Sequence, residues 1–309
     1  MKITKIMTGI LIGGILLAAQ PAQMTFVEDT ERGTLTVRDG GVNVLVYRFG
    51  DQLKKGVHRR QTRSCYIHPL YSLDGEVLTE DFPADHPHHH GLFWTWPVVR
   101  TRGQDTQTWH PANLRQYFVR WLEREVNDGA AALCVENAWK LDGEEIVAEE
   151  TVTLTIHPAQ KRGRAIDVEL TIEAVSGPLL LRGEKESQKG YGGLSLRGAP
   201  MFKEAELTTD VGLQKGDLND TEFLWADLST KKCGVAIFVS PGHPGFPTTW
   251  CLRNSYAGLL NASWPGLKAA IFKAGEPVTL RYRIYIHRGN ADTGLVAEAY
   301  EQFKSQKGS

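Results

Sequence analysis

Long stretches of this sequence alternate apolar and polar residues with a period of two, and no other feature narrows the possible folds as much. Val152, Leu154 and Ile156 interleave with Thr151, Thr153 and Thr155, and Ile166, Val168, Leu170 and Ile172 with Asp167, Glu169 and Thr171. Leu280, Tyr282, Ile284 and Ile286 do the same with Arg281, Arg283, Tyr285 and His287. Successive side chains of a strand point to opposite faces, so each run reads as a strand with one face in a core. Similar runs lie near 33–38, 42–48, 117–126, 130–141, 221–229, 233–240 and 266–273. Turn formers separate them, among them Asp39-Gly40-Gly41, Asn127-Asp128-Gly129, Asp142-Gly143 and Ala274-Gly275.

One helix is expected, close to the end, where Asp292 can cap a stripe of Leu295, Val296, Ala299, Tyr300 and Phe303. Many strands, short turns and almost no helix exclude a βαβ arrangement and predict an all-β, antiparallel sandwich or barrel. Several runs exceed the ~5–6 residues of a usual strand, which predicts large sheets. With no linker, repeat or low-complexity segment, residues 24–309 read as a single domain.

Residues 1–23 read differently. Lys2 and Lys5 precede the uncharged, mostly apolar run 6–19, and small residues Ala18, Ala19 and Ala22 follow. This is the layout of a secretory signal peptide, shorter than the ~20 residues a spanning helix needs. The mature chain is therefore expected outside the cytoplasm, periplasmic or secreted, with no membrane span. Lys and Arg number 35 against 36 Asp and Glu, a net charge of −1 that leaves no footprint for a nucleic-acid partner. Cys65, Cys134, Cys233 and Cys251 match no zinc spacing, and their three possible pairings stay open.

Two segments, 68–97 and 241–258, break the alternation and are rich in Pro, His, Trp and Gly. Irregular segments on a regular scaffold are where sites concentrate. The first holds Asp85-His86-Pro87-His88-His89-His90-Gly91, four of the ten histidines within five positions. In an extended backbone His86, His88 and His90 point one way and His89 the other, so the first three are candidates for a divalent metal or for acid/base work. The second holds Trp250, Arg253 and Tyr256: two aromatic platforms for a sugar ring and a donor for its oxygens. Between them, Gly183-Glu184-Lys185-Glu186 through Gly192-Gly193-Leu194-Ser195-Leu196-Arg197 offers carboxylates at the mouth of a strand that can aim Arg197 inward. Arg281, Arg283 and His287, facing Asp167 and Glu169, either line a concave sheet or form an exposed ion-pair ladder.

These motifs carry a resemblance. The string from Gly75 to Trp96, the Lys185-Glu186 and Gly192-to-Arg197 stretch, the Trp250-x-x-Arg253 element and Arg281-Tyr282-Arg283 before His287-Arg288-Gly289 are similar to a bacterial family of secreted proteins labelled "methane oxygenase PmoA-like". The resemblance spans nearly the whole mature chain. It implies an antiparallel supersandwich like that of galactose mutarotase, and a connection to carbohydrate metabolism. A membrane oxygenase subunit needs several apolar spans of about 20 residues, and the sequence after residue 23 has none. Ser187-Gln188-Lys189 is inserted relative to the family pattern, so either Glu184 or Glu186 is the equivalent carboxylate.

The resulting expectation is a carbohydrate-active enzyme, an epimerase, lyase or hydrolase, acting on a small-molecule or oligosaccharide substrate. Glu186 would be the base and His86 or His88 the acid, with His89, Arg197, Arg253, Tyr256, Arg283 and His287 around the substrate and Trp250 as platform. No cofactor is required beyond a possible divalent metal at His86, His88 and His90. The alternatives are a non-catalytic sugar-binding protein and a His-ligated metal protein or oxygenase.

Overall fold

The structure, a computed structural model, describes residues 23–111, 113–256 and 258–306. The signal-peptide reading therefore lies, but for Gln23, outside the described residues. Among these residues no helix is long and apolar enough to cross a membrane.

The alternating runs pair into two nine-stranded antiparallel sheets and a smaller four-stranded one, the all-β sandwich expected. The first sheet runs in the order Met24–Asp29, Thr34–Asp39, Val42–Arg48, Tyr66–Leu70, Leu92–Thr95, Gly193–Arg197, Leu259–Ser263, Thr248–Arg253, Leu218–Phe223. The second is built on long strands: Leu114–Asn127, Ala130–Leu141, Glu145–Ile156, Gly163–Ala174 and Val278–Arg288, followed by Cys233–Val239, Trp225–Ser229 and two short edge strands. Leu133, Val152, Val168 and Ile284 from the second sheet and Leu45, Trp94, Leu194 and Leu260 from the first belong to one core. A buried carboxylate joins the layers. Glu150 of the second sheet accepts hydrogen bonds from Trp94 of the first (3.0 Å) and from Gln116, Asn137 and Trp139 of its own sheet (3.0, 2.9 and 2.9 Å).

Two local expectations change. The run 221–229 is not one strand: the chain ends one strand at Phe223 in the first sheet and begins another at Trp225 in the second. Leu224 is the crossover, its N–H bonded to Asp210 and its carbonyl to the N–H of Val239. The C-terminal helix spans Val296–Ser305, and Asp292 does not cap it; Leu295 occupies the N-cap position in a left-handed conformation at φ 55° with no side-chain cap. The helix instead gains from packing Val296, Tyr300 and Phe303 against Phe238 on the outer face of the second sheet. All four cysteines are free thiols.

Candidate functional site

Strand parity brings the site together. In Leu92–Thr95, Leu92 and Trp94 enter the main core, whereas Phe93 emerges on the other face among Tyr66 and Trp109. Its neighbour Gly193–Arg197 sends Leu194 and Leu196 inward and leaves Arg197 on the side of Phe93. In Thr248–Arg253 the core takes Trp250 and Leu252, so Cys251 and Arg253 face outward. Arg197 and Arg253 both pair in register with Leu259, which places all three in one row at one end of the first sheet's outer face.

The histidine segment folds over that row. It is not extended: the N–H of His86 donates to Pro83 O (3.2 Å) and that of His89 to His86 O (2.8 Å), which makes successive turns. The turns bring His86, His88 and His89 to one cavity and send His90 into the interior, a correction to the expected grouping of His86, His88 and His90. His90 Nδ1 sits 2.7 Å from the Asp81 carboxylate, and its ring packs on Tyr66 and Phe82. Among the described residues no group of three or more His, Cys, Asp or Glu side chains is arranged to hold a metal ion. The segment joins its strand at Gly91, where a Cβ would lie 2.3 Å from Ile67 O, so only glycine fits.

The cavity has a volume of about 390 Å³. His86, His88, His89 and His110 line it with Trp109, Tyr191 and Tyr256, and Lys189, Asp217 and Arg253 supply charge. The rings of His88 and His110 are 3.9 Å apart between centroids; His86 stacks on His89 at 4.6 Å and on Tyr256 at 4.8 Å. Burial, reinforced by the other imidazoles, holds His88 down at about 2, and burial followed by Arg60 and Arg63 lowers His110. His89 is held well below its ordinary value by burial and its neighbours. These three rings are neutral at pH 7, each with one N–H donor and one lone-pair nitrogen. Burial raises both phenols, Tyr191 to about 12 and Tyr256 further, so both keep their protons. Burial opposes ionisation of Asp217, but hydrogen bonds from Ser255 and Asn254 outweigh it and keep the carboxyl below its usual range. Arg253 is held by Leu218 O, Leu252 O and Asn219 Oδ1 and lies 3.9 Å from Asp217.

The remaining sequence candidates fall elsewhere. Trp250 is 0% exposed and donates its indole N–H to Phe223 O at 2.8 Å, a core residue and not a platform. Its parity is opposite to that of Arg253, so the two cannot share a face. Arg197 lies behind the cavity wall at 2% exposure, bonded to Asp85 (3.0 and 3.1 Å) and Glu80 (3.3 Å) beneath the Tyr256 ring. It anchors the histidine turn and is not among the residues that line the cavity. Arg283 and His287 belong to the outer face of the second sheet: Arg283 pairs with Asp167 at 2.5 Å, and His287 is buried against Asp227 at 2.8 Å. Glu169 with Arg281 continues the ion-pair ladder of that sheet. Glu186 is exposed on the turn that leads to Lys189 and Tyr191, outside the cavity lining. Glu184 shapes that turn by accepting from Ser187 N, Ser187 Oγ and Lys189 N.

The sequence pattern does not single out Trp109 and His110. Their signal is an aromatic–imidazole pair in the irregular stretch between the strands Gln104–Thr106 and Leu114–Asn127.

A family profile described as a family of unknown function (DUF6807) matches residues 34–301, a description that names no oxygenase. No curated protein matches the chain. Among solved structures it is similar to a heparinase III (TM-score 0.37, 9% identity, 88% of this chain and 35% of that one) and to a GalM/aldose epimerase homologue from C. elegans (0.36, 9%, 86% and 100%). A polysaccharide lyase aligns at TM-score 0.31 and 11% identity over 90% of this chain and 34% of its own. The chain thus spans about a third of the heparinase and of the lyase.

Proposed function

We propose that this chain, which belongs to a family of unknown function (DUF6807), is a carbohydrate-active enzyme that performs acid/base chemistry on a sugar or ketosugar, outside the cytoplasm. The observation that carries the reading is the meeting of four imidazoles, two protonated phenols and Arg253 in one aromatic-walled cavity. Epimerisation, elimination and hydrolysis share three needs: a proton acceptor, a donor on the other side of the reacting bond, and ligands for developing oxygen charge.

The acceptor is one of the neutral pair His88 and His110, whose rings lie 3.9 Å apart between centroids on the cavity wall. His86, its Nδ1 2.9 Å from the Asp85 carboxylate, is the donor. Arg253 and Lys189 draw electron density towards a carbonyl or carboxylate oxygen next to the carbon that loses its proton. Trp109, on the cavity wall, receives the apolar face of the ring.

The test is a product screen of the mature protein over sugars and 3-ketosugars, repeated on variants. His88→Ala and His86→Ala are expected to lower kcat by about 10²-fold or more, with the fold intact by circular dichroism. Glu186→Gln is expected to stay close to wild type. Full turnover in both histidine variants overturns the reading, and loss only in Glu186→Gln returns the base to that carboxylate.

A further inference from the structure

Behind the histidine turn lies a second cavity, of about 410 Å³, with a different character. One wall is Phe82, Pro83, Ala84 and Pro87, the reverse side of the segment that presents His86 and His88 to the first cavity. The other wall carries Lys54, Lys55, His58 and Arg60, and no Asp or Glu lines it.

Local structure places these cations. Val57 N–H closes a turn on Lys54 O at 3.0 Å through Gly56 at φ 85°, and His58 Nδ1 accepts from Arg60 N–H at 3.1 Å to start a short 3₁₀ turn. Lys54 Nζ donates to Phe82 O at 3.1 Å and ties the basic loop to the histidine segment. Several exposed cations elsewhere are neutralised by carboxylates, as in Arg100–Asp105, Lys232–Glu76 and Arg288–Asp74. Among the described residues Lys54, Lys55, Arg59 and Arg60 form no such pair. A chain of net charge −1 therefore concentrates unpaired positive charge beside its candidate site. The field reaches the site itself, since Arg60 acts on His110.

We propose that this basic cavity is a subsite for the acidic groups of a polysaccharide, so that the substrate class is a glycan bearing carboxylates or sulfates. The inference rests on the acid/base reading for the position of the reacting sugar, while the subsite's charge lies outside that cavity. A few cations spread around one turn match a sparsely charged glycan better than a nucleic acid, whose duplex carries one charge per ~1.7 Å of axis.

The test is affinity electrophoresis of the full mature chain through gels containing polygalacturonate, heparin, a neutral β-glucan or duplex DNA, at low and high salt. Retardation by polygalacturonate or heparin, weakened by salt, is expected; which of the two is stronger assigns carboxylate or sulfate. The triple variant Lys54→Ala/Lys55→Ala/Arg60→Ala should lose at least about tenfold in affinity for the acidic glycan, whereas Arg100→Ala, which removes a cation already paired with Asp105, should bind as wild type. Unchanged affinity in the triple variant, equal retardation by the neutral glucan, or tighter binding of DNA overturns the subsite. The two readings fail separately. Turnover of a neutral sugar that ignores the triple variant removes only the subsite. Glycan binding lost in the triple variant, with no turnover of any glycan, keeps the subsite and removes the acid/base chemistry.

Discussion

The imidazole of His86 stacks on the phenol ring of Tyr256, with centroids 4.8 Å and planes 27° apart. The Arg197 guanidinium lies 4.6 Å from the centre of the same ring and holds Asp85, the residue before His86. One phenol thus fastens together the two irregular segments and the strand that carries Arg197. The contact is made by the ring face, and the hydroxyl takes no part in it.

Tyr256→Phe should therefore keep both the fold and the site, whereas Tyr256→Ala should remove one stacking and one cation–π contact. These contribute on the order of 1 kcal/mol each. Thermal melts should place the Phe variant at the wild-type midpoint and the Ala variant several degrees lower, and kcat/KM should fall only in the latter. Equal loss in both variants would assign the hydroxyl a role of its own.

Gly91→Ala tests the seam between the histidine turn and its strand. The new methyl would meet Ile67 O at 2.3 Å and His68 Cβ at 2.8 Å, and the first of these is backbone that cannot rotate away. A destabilisation of about 1–3 kcal/mol is expected, read from urea unfolding, with a larger relative loss of activity because His88 and His89 move with the seam. An unchanged midpoint would mean that the strands at Ile67 and Gly91 are not packed this closely.

Glu150→Ala tests the link between the layers. Burial pushes this carboxyl above its usual range even as four donors pull the other way. The substitution strands Trp94, Gln116, Asn137 and Trp139 without their acceptor, and removing one partner from a buried charged network costs about 3–5 kcal/mol. Denaturant unfolding should show that loss, while Glu150→Gln, which keeps a carbonyl acceptor, should lose less.

Acid should weaken the fold well before the carboxylates titrate. Burial holds His68 and His90 down at about 4, His243 at about 3 and His88 at about 2. An unfolded histidine takes its proton near pH 6.5, so below that pH the unfolded state binds protons that the native state refuses. The stability these groups contribute is complete above pH ~6.5 and is lost progressively as pH falls, to about 4 for His68 and His90 and to about 2 for His88. The melting midpoint should decline across that window, and a flat profile between neutrality and pH ~5 would show that the imidazoles are not desolvated.

The sheets were legible because a period of two is set by the geometry of neighbouring peptides. Thr151–Ile156, Ile166–Ile172 and Leu280–Ile286 all became strands with the expected inward faces. The same parity separates Trp250 from Arg253 and puts the indole in the core. Parity holds within a strand and carries no information about which sheet the strand joins. Hence 221–229 reads as a single run yet divides between both layers at Leu224, and Arg283 and His287 lie on the far side of the molecule from His88.

Within the histidine cluster, residue types pointed to acid/base chemistry, but the directions of the rings were set by two turn hydrogen bonds and by Asp81 receiving His90. Trp109 and His110 reach the cavity only because Phe93 and Tyr66 give the aromatic segment a surface to pack on. Periodicity, turn formers and residue chemistry belong to the sequence, since they arise from contacts a few residues long. Sheet membership, the convergence of three distant segments and the depressed imidazole basicities arise from burial between parts of the chain that meet only in the folded state, and the tertiary structure alone decided them.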